Sequence, residues 1–226
     1  WRSVTWSVFL SAAGGTSPET ASRDLARAKS RLKAFCLFNA VHCVGEKVYS
    51  RRYRSNFYKE IANQSGNTEL LQQQYAHMDI CRDRKATHIK ILRRLAKVFQ
   101  KDVSNLKSYP GIGFIGACTL VAYLENGWRF SNKRKLWQYS GIGVRRHESA
   151  GKGHKGASRK GNRYVKNAIL TATASIAGRR NANNALTRMW RAGIQAGIDP
   201  ERMKRNLARK VAVLVHRSLR FKEEYD

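Results

Sequence analysis

From Asn67 to Lys107 the chain contains neither proline nor glycine. No helix breaker interrupts it, and it carries two interleaved seven-residue repeats. Leu71, Met78, Leu92, Phe99 and Leu106 fall on one. Tyr75, Ile89, Ala96 and Val103 fall on the other, four residues later. Apolar residues spaced in this way form one seam down a helix. The seam is broken only where Arg82 and Lys85 take core-type positions. The pattern predicts a single helix of about 60 Å, at ~1.5 Å per residue. A second amphipathic segment lies upstream. Ser17 is an N-cap residue type followed by Pro18. Ala21, Leu25, Ala28, Leu32 and Phe35 then recur on one helical face. A linker around Gly45 leads to an aromatic-rich helix through Tyr49, Tyr53, Phe57 and Ile61, which Gly66 ends. Together these segments predict an antiparallel helical hairpin or a dimerising coiled coil.

The character of the chain changes at Pro110. Between Val103 and Ile198 only Glu125 and Glu148 are acidic, against seventeen Lys and Arg. Helical spacing predicts helices over Ile115–Tyr123, Lys133–Tyr139, Arg163–Gly178, Asn183–Ala192 and Pro200–Lys222. Asp199 is the expected cap of the last, and Leu207, Val211, Leu214 and Leu219 its buried stripe. Strand signals are weak throughout, so the expected fold class is all-α. The expected division is a cut end over 1–17, a helical linker over 18–107 and a compact helical domain over 108–226.

Charge narrows the partners. The 226 residues hold 44 Lys and Arg against 15 Asp and Glu, a net charge of +29. Such a chain repels itself unless a polyanion neutralises it, which points to nucleic acid or an anionic membrane. No stretch approaches the ~20 uncharged apolar residues that a membrane span requires. Trp1–Ala13 is apolar but short and carries Arg2, and reads as the cut end of something larger rather than a signal peptide. Cys36, Cys43, Cys81 and Cys118 form no C-x-x-C pair. They signal neither zinc nor a disulfide framework and read as reduced core thiols in a cytosolic protein.

Two segments could grip a phosphate backbone. In Tyr109-Pro110-Gly111-Ile112-Gly113, the glycines permit positive φ and close approach. A helix starting near Phe114 would aim free N–H groups and its positive dipole end at the turn. This is the pattern of a helix-hairpin-helix backbone binder; an ordinary helix–helix turn is the alternative. Arg145 to Lys166 forms a basic arm with eight Lys and Arg, two His and one Glu. Its glycines at 151, 153, 156 and 161 predict a loop that orders on its partner. Phosphate contacts are expected from this arm, including Arg145, Arg146, His147, Lys152, Lys155, Arg159, Lys160 and Arg163; a solvated loop is the alternative. Ser149 is the only hydroxyl between Gly141 and Gly156, and cations around it would offset charge developing on phosphorus. His147 is near enough in sequence to assist. A serine in a basic loop is more often merely polar.

No resident metal site is expected. Asp79 and Asp83 lie one helical turn apart, but beside Arg82, Arg84 and Lys85 they read as ion-pair partners. His147 and His154 lack partner ligands. Aromatics interleave with charge in Trp128-Arg129-Phe130, Leu136-Trp137-Gln138-Tyr139 and Met189-Trp190-Arg191. Stacking on bases is possible for these, and core packing is the expected role for most.

In order and spacing, these residues resemble the C-terminal part of an insertion-sequence transposase family. It is the one often called IS one-ten, which includes Piv-type invertases and bridge-RNA-guided recombinases. The resembling features are the Pro-Gly-Ile-Gly turn, Arg129-Phe130, Leu136-x-x-Tyr139-x-Gly141, His147-x-Ser149-x-Gly151 and Lys160-Gly161-Asn162-Arg163. "RDLARAKSRLKAF" resembles the family's linker helix. The resemblance implies that Ser149 is a nucleophile joining covalently to DNA, with Arg145, Arg146, Lys152, Arg159, Lys160 and Arg163 lining the DNA path. It also implies an upstream RuvC-like domain whose Asp/Glu/Asp/Asp set binds Mg²⁺. This chain starts where that domain should end, so DNA binding without efficient strand exchange is expected of it. Glu148 departs from the small or polar residue usual at its place, and Ala157-Ser158 is one residue short of the common spacing.

The leading expectation is therefore a fragment of a transposase or site-specific recombinase. It would bind DNA and form a homo-oligomer through the helical seam, with a guide RNA as a further possible partner. Its expected place is the cytoplasm, at the nucleoid, of a bacterial or archaeal cell. The alternative is a non-enzymatic helix-hairpin-helix protein that binds nucleic acid while Ser149 does nothing. An RNA-packaging protein fits the charge but not the heptad seam.

Overall fold

The computed structural model describes residues 18–149, 152–157, 161–178 and 183–225, with 144–149 and 152–157 described as backbone. The chain divides into two compact units, with the boundary between Arg94 and Leu95.

In the first unit, helix α1 (Pro18–Phe38) begins at the proline expected to open it. Ala21, Ala28, Leu32 and Cys36 are buried along one face, while Leu25 and Phe35 are half-buried. Two short 3₁₀ turns, Lys47–Tyr49 and Arg51–Tyr53, lead into α2 (Arg54–Gln64), whose Phe57 and Ile61 face inward. Helix α3 (Thr68–Ala96) then presents Leu71, Tyr75, Met78 and Cys81 to the core that α1 and α2 build. This part of the seam is thus covered from within its own unit. The long helix does not run on to Lys107. Residues Lys97–Phe99 form a 3₁₀ turn, and α4 (Gln100–Ser108) follows as a separate helix. A seam pattern reads side-chain spacing, and the tighter 3₁₀ turn shifts that spacing too little to show in sequence.

One cluster of charge in this unit is closed around Asp79. Asp79 accepts two hydrogen bonds from the Arg54 guanidinium, at 2.7 and 2.8 Å, and a third from Arg82 at 2.9 Å. Arg82 also donates to the Tyr49 carbonyl, and the Arg54 guanidinium lies 4.4 Å from the centre of the Tyr75 ring. The Arg54 hydrogen bonds hold the Asp79 carboxyl below its ordinary range. Arg82, an apparent break in the heptad, is therefore a half-buried partner of Asp79. All four cysteines are buried and free, and burial pushes the Cys36 thiol up to about 12.

The second unit is organised around α9 (Pro200–Phe221), which packs against α4, α6, α7 and α8. Asp199 caps it as expected, accepting from the Arg202 N–H at 2.8 Å. Met203, Leu207, Ala208, Val211, Ala212, Val215 and Leu219 are buried; Leu214 is only half-buried. Before it come α5 (Phe114–Leu124), α6 (Lys133–Tyr139), α7 (Arg163–Gly178) and α8 (Ala185–Gln195). Asn132 and Asn184 cap α6 and α8 through their side chains. Buried His216 lies between the Gly127 and Phe130 carbonyls at 2.9 and 3.2 Å. Carbonyls only accept, so Nε2 carries the proton. Buried Asn105 donates to the Lys222 carbonyl at the end of α9. That bond satisfies one of the carbonyls a helix C-terminus leaves without a partner. These helices bear out the all-α class.

One segment departs from it. The arm expected to be a loop is an antiparallel hairpin of β1 (Val144–Ser149) and β2 (Lys152–Ala157). Val144 pairs with Ala157, Arg146 with Lys155, His147 with His154, and Ser149 with Lys152. Arg, Lys, His and Gly are poor strand residues, so composition conceals this hairpin. The available signal is the spacing. Two six-residue runs flank Ala150-Gly151, and two-residue connections favour glycine.

Candidate nucleic-acid interface

The expected gripping turn joins α4 to α5. The Ile112 N–H donates to the Tyr109 carbonyl at 3.1 Å, and Gly111 has φ +80°. With Pro110 before it, this is the geometry of a type II turn. The two glycines do different work. A Cβ on Gly111 would collide with the Ala172 carbonyl of α7, so its bare face is spent on packing. Gly113 has φ −83° and ψ 173°, ordinary extended backbone, and nothing lies within 4 Å of its missing Cβ. It stands exposed at the start of α5 with no side chain capping the helix. The N–H groups of α5's first turn thus emerge beside an open glycine, the condition for receiving an anion at a helix N-terminus.

The arm leaves the body through a narrow neck. A Cβ on Gly161 would meet the backbone of Gly141 at 2.5 Å and the Tyr139 carbonyl at 3.0 Å, so the outgoing and returning chains touch. Asn162 locks the contact. Its N–H donates to the Tyr139 carbonyl at 2.6 Å and its side-chain amide to the Tyr139 hydroxyl at 3.0 Å. Its side-chain oxygen accepts from the N–H groups of Tyr164 and Val165, which caps α7. Sequence reasoning placed the helix start here but missed this role. The signal was present, because Asn is among the best N-cap residues.

An aromatic and guanidinium cluster surrounds the neck. Tyr164 stacks on Tyr123, centroids 5.1 Å apart and planes at 7°. The Arg163 guanidinium lies over Tyr164 at 4.9 Å and donates to its hydroxyl, which holds Arg163 more firmly protonated. On the other side, Arg129 lies over Tyr139 at 4.9 Å and donates to the Tyr123 carbonyl. Trp128, 63% exposed, carries the Arg220 guanidinium 3.9 Å from its ring centre. Phe130 is buried.

The expected site residues therefore divide. Arg145, Arg146, His147, Ser149, Lys152 and Lys155 are gathered by one β-ladder, with Ser149 and Lys152 forming its last pair before the tip. Arg163 is exposed at the first position of α7, where the arm returns. Arg159 and Lys160 lie outside the described residues. Gly111 and Gly113 sit in the α4–α5 turn and are linked to the arm through α7. That helix meets Gly111 at Ala172 and starts at Arg163. Among the described residues no group of three His, Cys, Asp or Glu could hold a metal ion, and no helix is long and apolar enough to cross a membrane.

Comparison with known proteins places this unit. Residues 103–189 match the family described as transposase IS116/IS110/IS902. The match spans the glycine turn, the neck and both strands of the arm; residues 1–102 and 190–226 lie outside it. No match to the chain was found among curated proteins.

Proposed function

From the family of the 103–189 segment, we propose that this protein acts on DNA in the transposition of an insertion sequence, with Ser149 as nucleophile and the arm as the grip on the substrate. One observation carries the reading: the family match encloses the open glycine turn and the whole basic hairpin. The turn at Gly113 would bind backbone phosphate through N–H groups, a contact that positions without reading sequence. Arg145, Arg146, Lys152, Lys155 and Arg163 would add charge along the strand, with Arg159 and Lys160 completing the arm in sequence.

The chemistry balances as a transesterification. The Ser149 oxygen forms a bond to phosphorus, and the bond from phosphorus to one sugar oxygen breaks. The serine proton passes to a base, for which His147 is nearest in sequence, and the leaving oxygen gains a proton. Neighbouring cations offset the charge that develops on phosphorus. The resemblance implies that Mg²⁺ would be held by the Asp/Glu/Asp/Asp set of a RuvC-like domain. The described residues do not provide for it, so no step here is routed through metal. A guide RNA, as a second polyanion, would draw on the same charge.

The test is a denaturing gel after incubation with end-labelled duplex DNA. A band of protein covalently bound to DNA is expected, absent in Ser149→Ala, while affinity measured by anisotropy stays unchanged. A band that survives in Ser149→Ala removes the nucleophile assignment. Tight binding with no band from the unaltered protein favours the non-enzymatic binder.

A further inference from the structure

Below the neck, a cleft of about 220 Å³ is lined by Arg134, Trp137, Gln138, Gly143 and Arg209. That volume is smaller than the roughly 300–1,000 Å³ of small-molecule sites. It suits a compact anionic group rather than a whole cofactor. Three elements meet here: α6, the Gly141–Gly143 segment that feeds β1, and α9.

The walls are held in place by bonds that leave the charged ends free. Trp137 donates its indole N–H to the Arg209 carbonyl at 3.2 Å. Arg209 donates from Nε to the Ile142 carbonyl at 3.2 Å, and its guanidinium lies 6.0 Å from the Trp137 ring centre. One donor thus fixes the guanidinium, and its two terminal nitrogens make no hydrogen bond among the described residues. Arg134 is exposed and makes neither hydrogen bond nor ion pair among them. Lys133 adds a third cation, 6.0 Å from the same ring.

No carboxylate is near in sequence on any wall. Lys133–Tyr139, Ser140–His147 and Arg202–Lys222 contain neither Asp nor Glu. Elsewhere in the same unit, arginines and lysines do find acids. Arg217 pairs with Glu223, Lys222 with Asp102, Lys204 with Glu201 and Arg129 with Glu125. Two guanidiniums converging on one cleft without an acid repel one another until an anion enters. Their planar donor forks fit tetrahedral phosphate oxygens.

We infer that this cleft binds one backbone phosphate of a nucleic-acid strand, held between Arg134 and Arg209 at the foot of the arm. The strand would be anchored beside the point where the arm leaves the body, so that arm and anchor act on the same strand. The inference builds on the nucleic-acid reading above and adds a phosphate site outside the arm and the glycine turn.

The experiment measures binding of the full chain to a fluorescent 30-base-pair DNA duplex and to an RNA hairpin of equal length, across a salt series. Arg134→Gln and Arg209→Lys are compared with Lys59→Gln, which removes the same charge as Arg134→Gln from an exposed position in the other unit. Arg134→Gln is expected to weaken low-salt binding about tenfold and to lower the salt slope by about one, and Arg209→Lys to weaken binding about tenfold with the slope nearly unchanged. Lys59→Gln should leave both unchanged. Arg209→Lys keeps the charge but not the fork, so its loss reports geometry. An effect with one probe alone assigns the phosphate to that nucleic acid. Unchanged binding by Arg134→Gln, or an equal loss in Lys59→Gln, overturns the cleft while leaving nucleic-acid binding intact. No binding of either probe by the unaltered protein overturns the underlying reading as well.

Discussion

Arg54 and Arg134 are the same residue type in opposite circumstances. Arg54 is mostly buried, forks onto Asp79 and shares that carboxylate with Arg82. Arg134 stands on a wall without an acid partner. Around Asp79 the first unit closes its charge on itself, and around the cleft the second leaves a pair of guanidiniums open. A neutralised guanidinium holds a fold together, whereas an open one is available to a ligand. Net charge alone cannot tell these apart, because both arginines count equally toward +29. The glycine turn repeats the contrast on a small scale. Gly111 is closed against Ala172, and Gly113 is open to solvent.

The most damaging test acts on a closed feature. Gly111→Val forces a branched side chain into φ +80° and into the Ala172 carbonyl. It should destabilise the second unit by about 3 kcal/mol or more, read from urea denaturation. An unperturbed midpoint would break the claim that this glycine is spent on packing. Next comes the open charge. Replacing Arg145, Arg146, Lys152 and Lys155 together by Gln should weaken DNA binding on the order of a hundredfold at low salt and flatten the salt slope. The melting temperature should hardly move. A large drop in melting would show that the arm's cations serve the fold.

Asp79→Ala should cost about 2 kcal/mol, because it leaves the guanidiniums of Arg54 and Arg82, with Arg51 3.9 Å from the same carboxylate, facing one another in a half-buried place. DNA affinity should not change. This interaction also fixes a pH dependence. The Asp79 carboxyl titrates below its ordinary 3.8 in the folded protein. Its contribution is therefore complete above the unfolded value and is lost as pH falls through the lower, folded one. The stability gap between the unaltered protein and Asp79→Asn should shrink below about pH 4. A gap that stays constant down to pH 2 would show that the ion pair is not its source. Smallest of all, Gly113→Ala should change stability by no more than about 0.5 kcal/mol.

Periodicity made most of the second unit legible. Lys133–Tyr139 and Arg163–Gly178 occur with the expected bounds, and α5 and α9 fall within a residue or so of theirs. These helices have amphipathic stripes and clear caps, signals that are local. The break at Lys97–Phe99 was not legible, because the heptad spacing passes through it. The hairpin was hidden for the opposite reason. Its residues have little intrinsic strand preference, and its ladder depends on partners across the tip. The Arg134–Arg209 cleft could not be read at all, since its walls lie seventy-five residues apart in sequence and are joined by tertiary contacts such as the hydrogen bonds of Arg209 with Trp137 and Ile142. Sequence did distinguish the candidate arm, by charge and glycine spacing, from the helices around it.

The contact between Gly141 and Gly161 sets a rule for how proteins built this way can vary. Because the chain departs and returns at one point, the two strands beyond Gly143 can be lengthened or trimmed together without moving the residues that hold the neck and the cleft. The ladder has a period of two, so additions in matched pairs, one residue per strand, preserve its pairing. Reach can therefore drift between descendants while the body stays constant, and a short tip and a long tip become different tools on one handle.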